Sequence, residues 1–182
     1  FDVPGKAVNA LFTSITARSS GLSTIPVADL RAESQGFTMI LMFIGGAVGS
    51  TTGGVRVNVI AVLVVVIVSV LRRRAEPAAM GRRLEPRTVH LALTVLGVGV
   101  AVLAVSVLAM QLLVGPSAGS ERSQIGFEVV SAVGTVGLSN GLTATLDGAG
   151  QVAMILFMLL GRLSVLALAI VTRCVGGSSQ VT

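Results

Sequence analysis

The sequence has no tryptophan, no tyrosine, one histidine, one cysteine and only 12% charged residues. Each shortage excludes something. Aromatics make up 3% of the 182 residues, so stacking platforms for single-stranded nucleic acid are missing. The thirteen Lys and Arg against eight Asp and Glu therefore do not argue for a nucleic-acid partner. The lone Cys174 leaves no intrachain disulfide and no thiolate metal cage. The lone His90 excludes a histidine-rich zinc or catalytic site. Soluble domains carry roughly 25% charged residues, about twice the share found here. With 53% apolar residues the chain is not a disordered one either.

What is present is apolar sequence in three long stretches, 36–71 (interrupted), 88–114 and 148–172. A membrane-spanning helix needs about 20 apolar residues, at ~1.5 Å rise each, to cross ~30 Å of hydrocarbon. The second and third stretches each fit one crossing. None of the three lies at the N-terminus with the basic flank and cleavage site of a signal peptide. The chain starts at Phe1 without Met and is expected to be a fragment whose upstream part is missing. Arg72, Arg73, Arg74, Arg82, Arg83 and Arg87, against Glu76 and Glu85, gather between the first two stretches. Such an excess in a short loop between membrane ends marks the cytoplasmic side, although a basic patch on a soluble loop reads the same way. The expected topology is multi-pass in the cell membrane. Residues 115–126 lie outside, and the C-terminal tail after Arg173 and Cys174 is cytoplasmic. The basic loop also suits anionic lipid headgroups as partners.

Residues 5–16 and 123–133 are too short to span and suit re-entrant helices, and each is followed by a Ser/Thr/Gly run. The chain also repeats itself. Ser19-Ser20-Gly21-Leu22-Ser23 matches Thr135-Val136-Gly137-Leu138-Ser139 at an offset of 116, and Met39-Ile40-Leu41 matches Met154-Ile155-Leu156 at 115. Non-helical backbone at membrane depth is tolerated only where it is buried or lines a water-filled path. There its carbonyl oxygens can replace the hydration shell of a cation, as in the Thr-Val-Gly-Tyr-Gly filters of potassium channels. Residues 135–139 have that shape, with Leu for Tyr and Ser for the last Gly. Gly21 and Gly137 suit the backbone angles that aim successive carbonyls inward. A short helix ending at the pore centre adds partial negative charge there.

The residues Thr16-Ala17-Arg18-Ser19-Ser20-Gly21-Leu22-Ser23-Thr24 resemble the third filter of the TrkH/KtrB family of potassium-uptake proteins, and residues 131–139 resemble its fourth. Ser19 and Leu22 stand where Thr and Phe are usual. The resemblance implies an all-α membrane protein of helix, pore helix, filter loop and helix repeats around a potassium-channel-like pore. Residues 1–87 would be the third repeat without its first helix: pore helix 5–16, filter 18–24, broken helix 36–71 and cytoplasmic loop 72–87. Residues 88–182 would be the fourth: helix 88–114, pore helix 123–133, filter 134–139 and helix 148–173. The filter residues are then Ser19, Ser20, Gly21, Leu22 and Ser23 with Thr135, Val136, Gly137, Leu138 and Ser139, and K+ is the transported ion at their carbonyls. The two filter glycines argue for potassium over sodium; in plant relatives Ser at one filter Gly shifts the preference to sodium. The resemblance further implies an upstream half of the same pore, a homodimer, and a cytosolic nucleotide-binding regulatory subunit. The rival readings are a sodium or mixed-cation transporter of the same family and a non-conducting truncated fragment. A secondary transporter with a midplane site would show inverted repeats and intramembrane acids; the repeats here are parallel and the spans hold no acid. No general base, nucleophile, metal cluster or phosphate loop points to an enzyme.

One helix over 36–71 would run ~54 Å, nearly twice the hydrocarbon thickness. The break falls at Gly45-Gly46-Ala47-Val48-Gly49-Ser50-Thr51-Thr52-Gly53-Gly54, since each Gly costs a helix about 1 kcal/mol. No Lys is present for a phosphate loop, and a small-residue packing face, with Gly45, Gly49 and Gly53 at four-residue spacing, is the plain alternative. The family resemblance makes the loop a gate below the filter. Arg162 lies about midway along the third stretch, where a charge costs at least ~2.5 kcal/mol to insert. The resemblance has it face the gate loop, with snorkelling as the alternative. Arg18 is expected to brace the filter from behind, through Glu128, or else to face solvent at the outer mouth. His90 and Cys174 are expected to be inert.

Overall fold

A computed structural model describes residues 3–18, 20–46, 53–72, 78–79, 82–83, 86–114 and 122–176, with side chains of the last helix described to residue 163. Six α-helices are described: α1 (Val3–Thr16), α2 (Ala32–Phe43), α3 (Val57–Leu71), α4 (Pro86–Val114), α5 (Arg122–Gly134) and α6 (Gly148–Gly176). Short 3-10 turns at Val27–Asp29 and Leu142–Thr145 follow the two Ser/Thr-Gly segments. The architecture is all-helical apart from one minimal antiparallel pair, β1 (Ala78–Ala79) with β2 (Arg82–Arg83), inside the basic loop.

Among the described residues, α4 is the one helix long and apolar enough to cross a membrane, with Val57–Leu71 and Gly148–Leu163 as shorter apolar helices. Its 29 residues give about 43 Å of length. The outward faces are those of a chain bathed in lipid. Leu93, Val105, Leu108 and Leu112 of α4 and Ile155, Leu156, Leu159 and Leu163 of α6 are all exposed. In water such contiguous apolar surface would be an aggregation site.

The core lies around α5, which packs against α2, α4 and α6. From Ile125 to Gly134 every residue but Gly126 is buried. One cluster joins Ile125, Val129 and Ala132 of α5 to Met110 of α4 and to Ala153, Met154 and Phe157 of α6. A second joins Phe127 and Val130 of α5 to Met42 of α2, Ala17 after α1, and Val136 and Leu138 beyond α5. α5 is thus the hub against which Ala17 and the 136–138 segment pack.

The long stretch expected over 36–71 is two helices. α2 begins at Ala32, four residues ahead of the apolar run, because Glu33 supplies an acid in its first turn and Gln35 folds back. The Gln35 amide donates to the carbonyl oxygens of Val27 and Leu30, both at 3.1 Å. α2 stops before Gly45-Gly46, and the next described helix begins at Val57. By contrast, α6 is unbroken over 29 residues.

Candidate functional site

The two Ser/Thr-Gly segments meet. Gly21 has φ 63° and Gly137 φ 91°, the left-handed region that side chains avoid. They also face each other: a Cβ added at Gly21 would lie 2.9 Å from the Val136 carbonyl oxygen, and one added at Gly137 would lie 3.5 Å from the Gly21 Cα. Glycine is needed here for conformation and for this close backbone approach.

Along the second segment burial alternates. Val136 and Leu138 are buried, while Gly137 and Ser139 are exposed. The apolar side chains anchor into the hub, which leaves the backbone to face the opposing strand. The first segment is anchored less. Ser20, Leu22 and Ser23 are exposed, Gly21 is half-buried, and Ser19 lies outside the described residues. Its tie to α1 is the Thr16–Ser20 hydroxyl contact at 2.9 Å, and Thr24 donates to Asn9 at 3.1 Å.

The C-terminal end of the second segment is knitted to α5 through Glu128, a buried acid. One carboxyl oxygen accepts from the Ser139 hydroxyl and from the Asn140 N–H at 3.1 Å, and the other accepts from the Thr143 hydroxyl at 3.0 Å. Asn140 donates in turn to the Gln124 carbonyl at 3.1 Å. The pairing of Glu128 with Arg18 expected from sequence is not formed among the described residues. Glu128 is taken up by its own filter loop, and Arg18 is exposed. Sequence reasoning missed Asn140 and Thr143; the signal for them was a lone acid on an otherwise apolar pore helix.

The N-terminal end is built differently. α5 closes in a Schellman motif: Val136 N–H donates to Ser131 O at 3.0 Å and Thr135 N–H to Ala132 O at 3.1 Å. The left-handed position of that motif usually holds Gly. Here it holds Thr135 at φ 51°, the one described non-glycine residue with positive φ. For a β-branched residue this is an outlier, of order 1–3 kcal/mol.

The Gly-rich segment meets this same end at its described residue Gly53. Its base is closed by a parallel bridge between Ile44 and Val55. Gly45 N–H donates to Val55 O at 2.8 Å and Val55 N–H to Phe43 O at 3.1 Å. Gly53, where the chain returns, donates its N–H to the Gly134 carbonyl at 3.1 Å and to the Thr135 hydroxyl oxygen at 2.8 Å. A Cβ at Gly53 would lie 2.7 Å from the Val133 carbonyl oxygen. Of the expected gate residues, Gly45, Gly46, Gly53 and Gly54 are described; Gly49, Ser50, Thr51 and Thr52 lie outside the described residues.

Gly161 of α6 reaches the same carbonyl, since a Cβ there would collide with Val133 O. This sets the neighbouring Arg162, whose side chain is exposed, at the depth of the loop's return. Arg56, half-buried where α3 begins, is a further cation just past the loop that the sequence reading passed over. Its signal was a charge inside the first apolar stretch. Among the described residues no group of His, Cys, Asp and Glu could hold a metal ion.

Comparison with known proteins gives one consistent set of relatives. The model of the TrkH family, described as cation transport protein, matches residues 1–180. The potassium/sodium uptake protein NtpJ of Enterococcus hirae is 33% identical over 88% of this chain and 36% of its own length. The Ktr system potassium uptake protein B of Vibrio alginolyticus is 31% identical over 91% of this chain and 35% of its own length. The chain therefore spans about a third of the length of these relatives. The crystal structure of the potassium transporter TrkH from Vibrio parahaemolyticus superposes with a TM-score of 0.73 at 23% identity, covering 94% of this chain and 38% of that one. At that identity the likeness speaks for the fold.

Proposed function

The chain belongs to the TrkH family of cation transport proteins, and we propose that it supplies two of the four filter walls and the gate loop of a potassium-uptake pore in the cell membrane. The observation that carries this reading is the backbone-to-backbone meeting of Gly21 and Gly137, both at positive φ. Two such strands side by side present carbonyl oxygens to a shared axis, the arrangement that replaces water around a cation. The negative end of α5 points at the same axis and favours positive charge there.

In this reading Ser19–Ser23 and Thr135–Ser139 are filter segments and K+ is the cargo. The loop from Gly45 to Gly54 closes the inner side. Arg162, level with Gly53, holds that loop and adds a positive barrier. Arg18 steadies the first filter from outside the pore. An upstream half completes the pore, a second copy forms the homodimer, and a cytosolic nucleotide-binding subunit docks below the basic loop beside anionic lipid. The C-terminus lies in the cytoplasm. The printed name of the Enterococcus relative, which joins potassium with sodium, favours a second reading in which sodium also passes.

The test is rubidium against sodium uptake by the intact protein in a strain lacking its own potassium uptake. Rubidium uptake well above sodium supports the potassium reading, equal rates support the mixed-cation reading, and no uptake of either ion overturns both. In the same assay Arg162→Gln is expected to raise flux by about tenfold, the worth of roughly 1.4 kcal/mol in a gate equilibrium; unchanged flux removes Arg162 from the gate.

A further inference from the structure

We propose that the gate loop and the transported cation compete for the oxygens at the inner end of the second filter, the Thr135 hydroxyl above all, so that a cation arriving there loosens the gate. The inference rests on reading 135–139 as a filter and deepens it. A single donor, the Gly53 N–H, engages both the Gly134 carbonyl oxygen and the Thr135 hydroxyl oxygen. An N–H and a cation are both positive partners for the same lone pairs. With the N–H seated, these oxygens are turned to the loop and the negative end of α5 is capped. With a cation seated, it repels the N–H that shares its ligands.

The residue type at 135 carries the argument further. The left-handed position closing α5 is one that Gly occupies without strain, yet Thr stands there at φ 51°. Helix termination does not need the hydroxyl; the bond to Gly53 does. Local rules are broken in this way where a side chain has work beyond the fold. Thr135 is therefore a positioning residue for the loop as well as a wall of the filter. Because coupling between two binding events is reciprocal, a loop that weakens cation binding is itself weakened by the cation by the same factor.

Hydrogen exchange at the Gly53 amide reads the latch directly. The intact uptake protein in lipid nanodiscs is compared in potassium and in choline buffer, with the α5 amides as the internal reference. Exchange at Gly53 is expected to speed up about fivefold or more in potassium, with α5 unchanged. Thr135→Ser keeps the hydroxyl and the potassium response. Thr135→Gly relieves the strain and loses the hydroxyl, so Gly53 exchanges fast in both buffers; a purely helix-terminating Thr135 would leave Gly53 as protected as before. Potassium-independent exchange at Gly53 in the parent protein, or a potassium response that survives in Thr135→Gly, overturns the proposal. Rubidium flux is measured on the same samples. Absence of flux in the parent sinks the pore reading, whereas flux with a potassium-blind Gly53 sinks this inference alone.

Discussion

The two Ser/Thr-Gly segments share a sequence pattern and differ in how they are held. Leu138 is 3% exposed and Leu22 is 66% exposed, although both directly follow the glycine of positive φ. The second segment packs through Val136 and Leu138 on α5 and α2, with Glu128 tying its C-terminal end and Gly53 bonded at its N-terminal end. The first rests on α1, whose Val8, Leu11 and Ile15 are themselves exposed. The difference teaches that the second segment sits in a nearly closed scaffold of described residues, while the first lies beside a helix whose apolar side is left exposed.

Several substitutions would break or sharpen that contrast. The largest effect is expected at Gly161, where a side chain meets the backbone of the hub. Gly161→Val should cost about 3 kcal/mol or more, read as loss of monodisperse intact protein in gel filtration. Leu138→Ala follows, at about 2–3 kcal/mol, against under ~0.5 kcal/mol for Leu22→Ala if Leu22 stays exposed. Melting temperatures of the two variants decide the point, and equal losses would show that Leu22 is covered in the assembled protein. Glu128→Ala leaves the Ser139, Asn140 and Thr143 donors without their acceptor, at about 1–3 kcal/mol, and should lower the rubidium-to-sodium uptake ratio. Glu128→Gln, which keeps one acceptor, should lower it less. Thr24→Ala, at an exposed bond of the first segment, is expected to change the melting temperature by no more than the worth of ~0.5 kcal/mol.

Much of this was legible in the sequence because length and pattern decide it. An apolar run too long for one crossing and split by glycines had to break, and it does, between Phe43 and Val57. Short segments before Ser/Thr-Gly runs became α1 and α5. The early start of α2 was not legible, because Ala32 to Gln35 are polar enough to read as loop and only the Gln35 amide turns them into a helix entry. The partner of Glu128 was not legible either. An acid on a pore helix needs donors, but sequence does not say whether they come from Arg18 across the pore or from residues 11 to 15 positions downstream. The Gly53 to Thr135 bond joins residues 82 apart and depends on backbone angles that no residue pattern at 135 announces.

The burial of α5 has a consequence for how the protein is made. Thirteen residues give about 20 Å, too short to be threaded across the bilayer as a segment of its own. Its Glu128 finds its donors only at residues 139–143, and its apolar packing is completed by α6. While the ribosome is still short of α6, the apolar face that α6 covers and the Glu128 carboxyl have yet to find their partners, and an unsatisfied polar group in lipid costs several kcal/mol. Synthesis is therefore expected to deliver α4, α5 and α6 to the membrane as a single insertion unit, with the 135–139 segment taking its shape once α6 has left the ribosome.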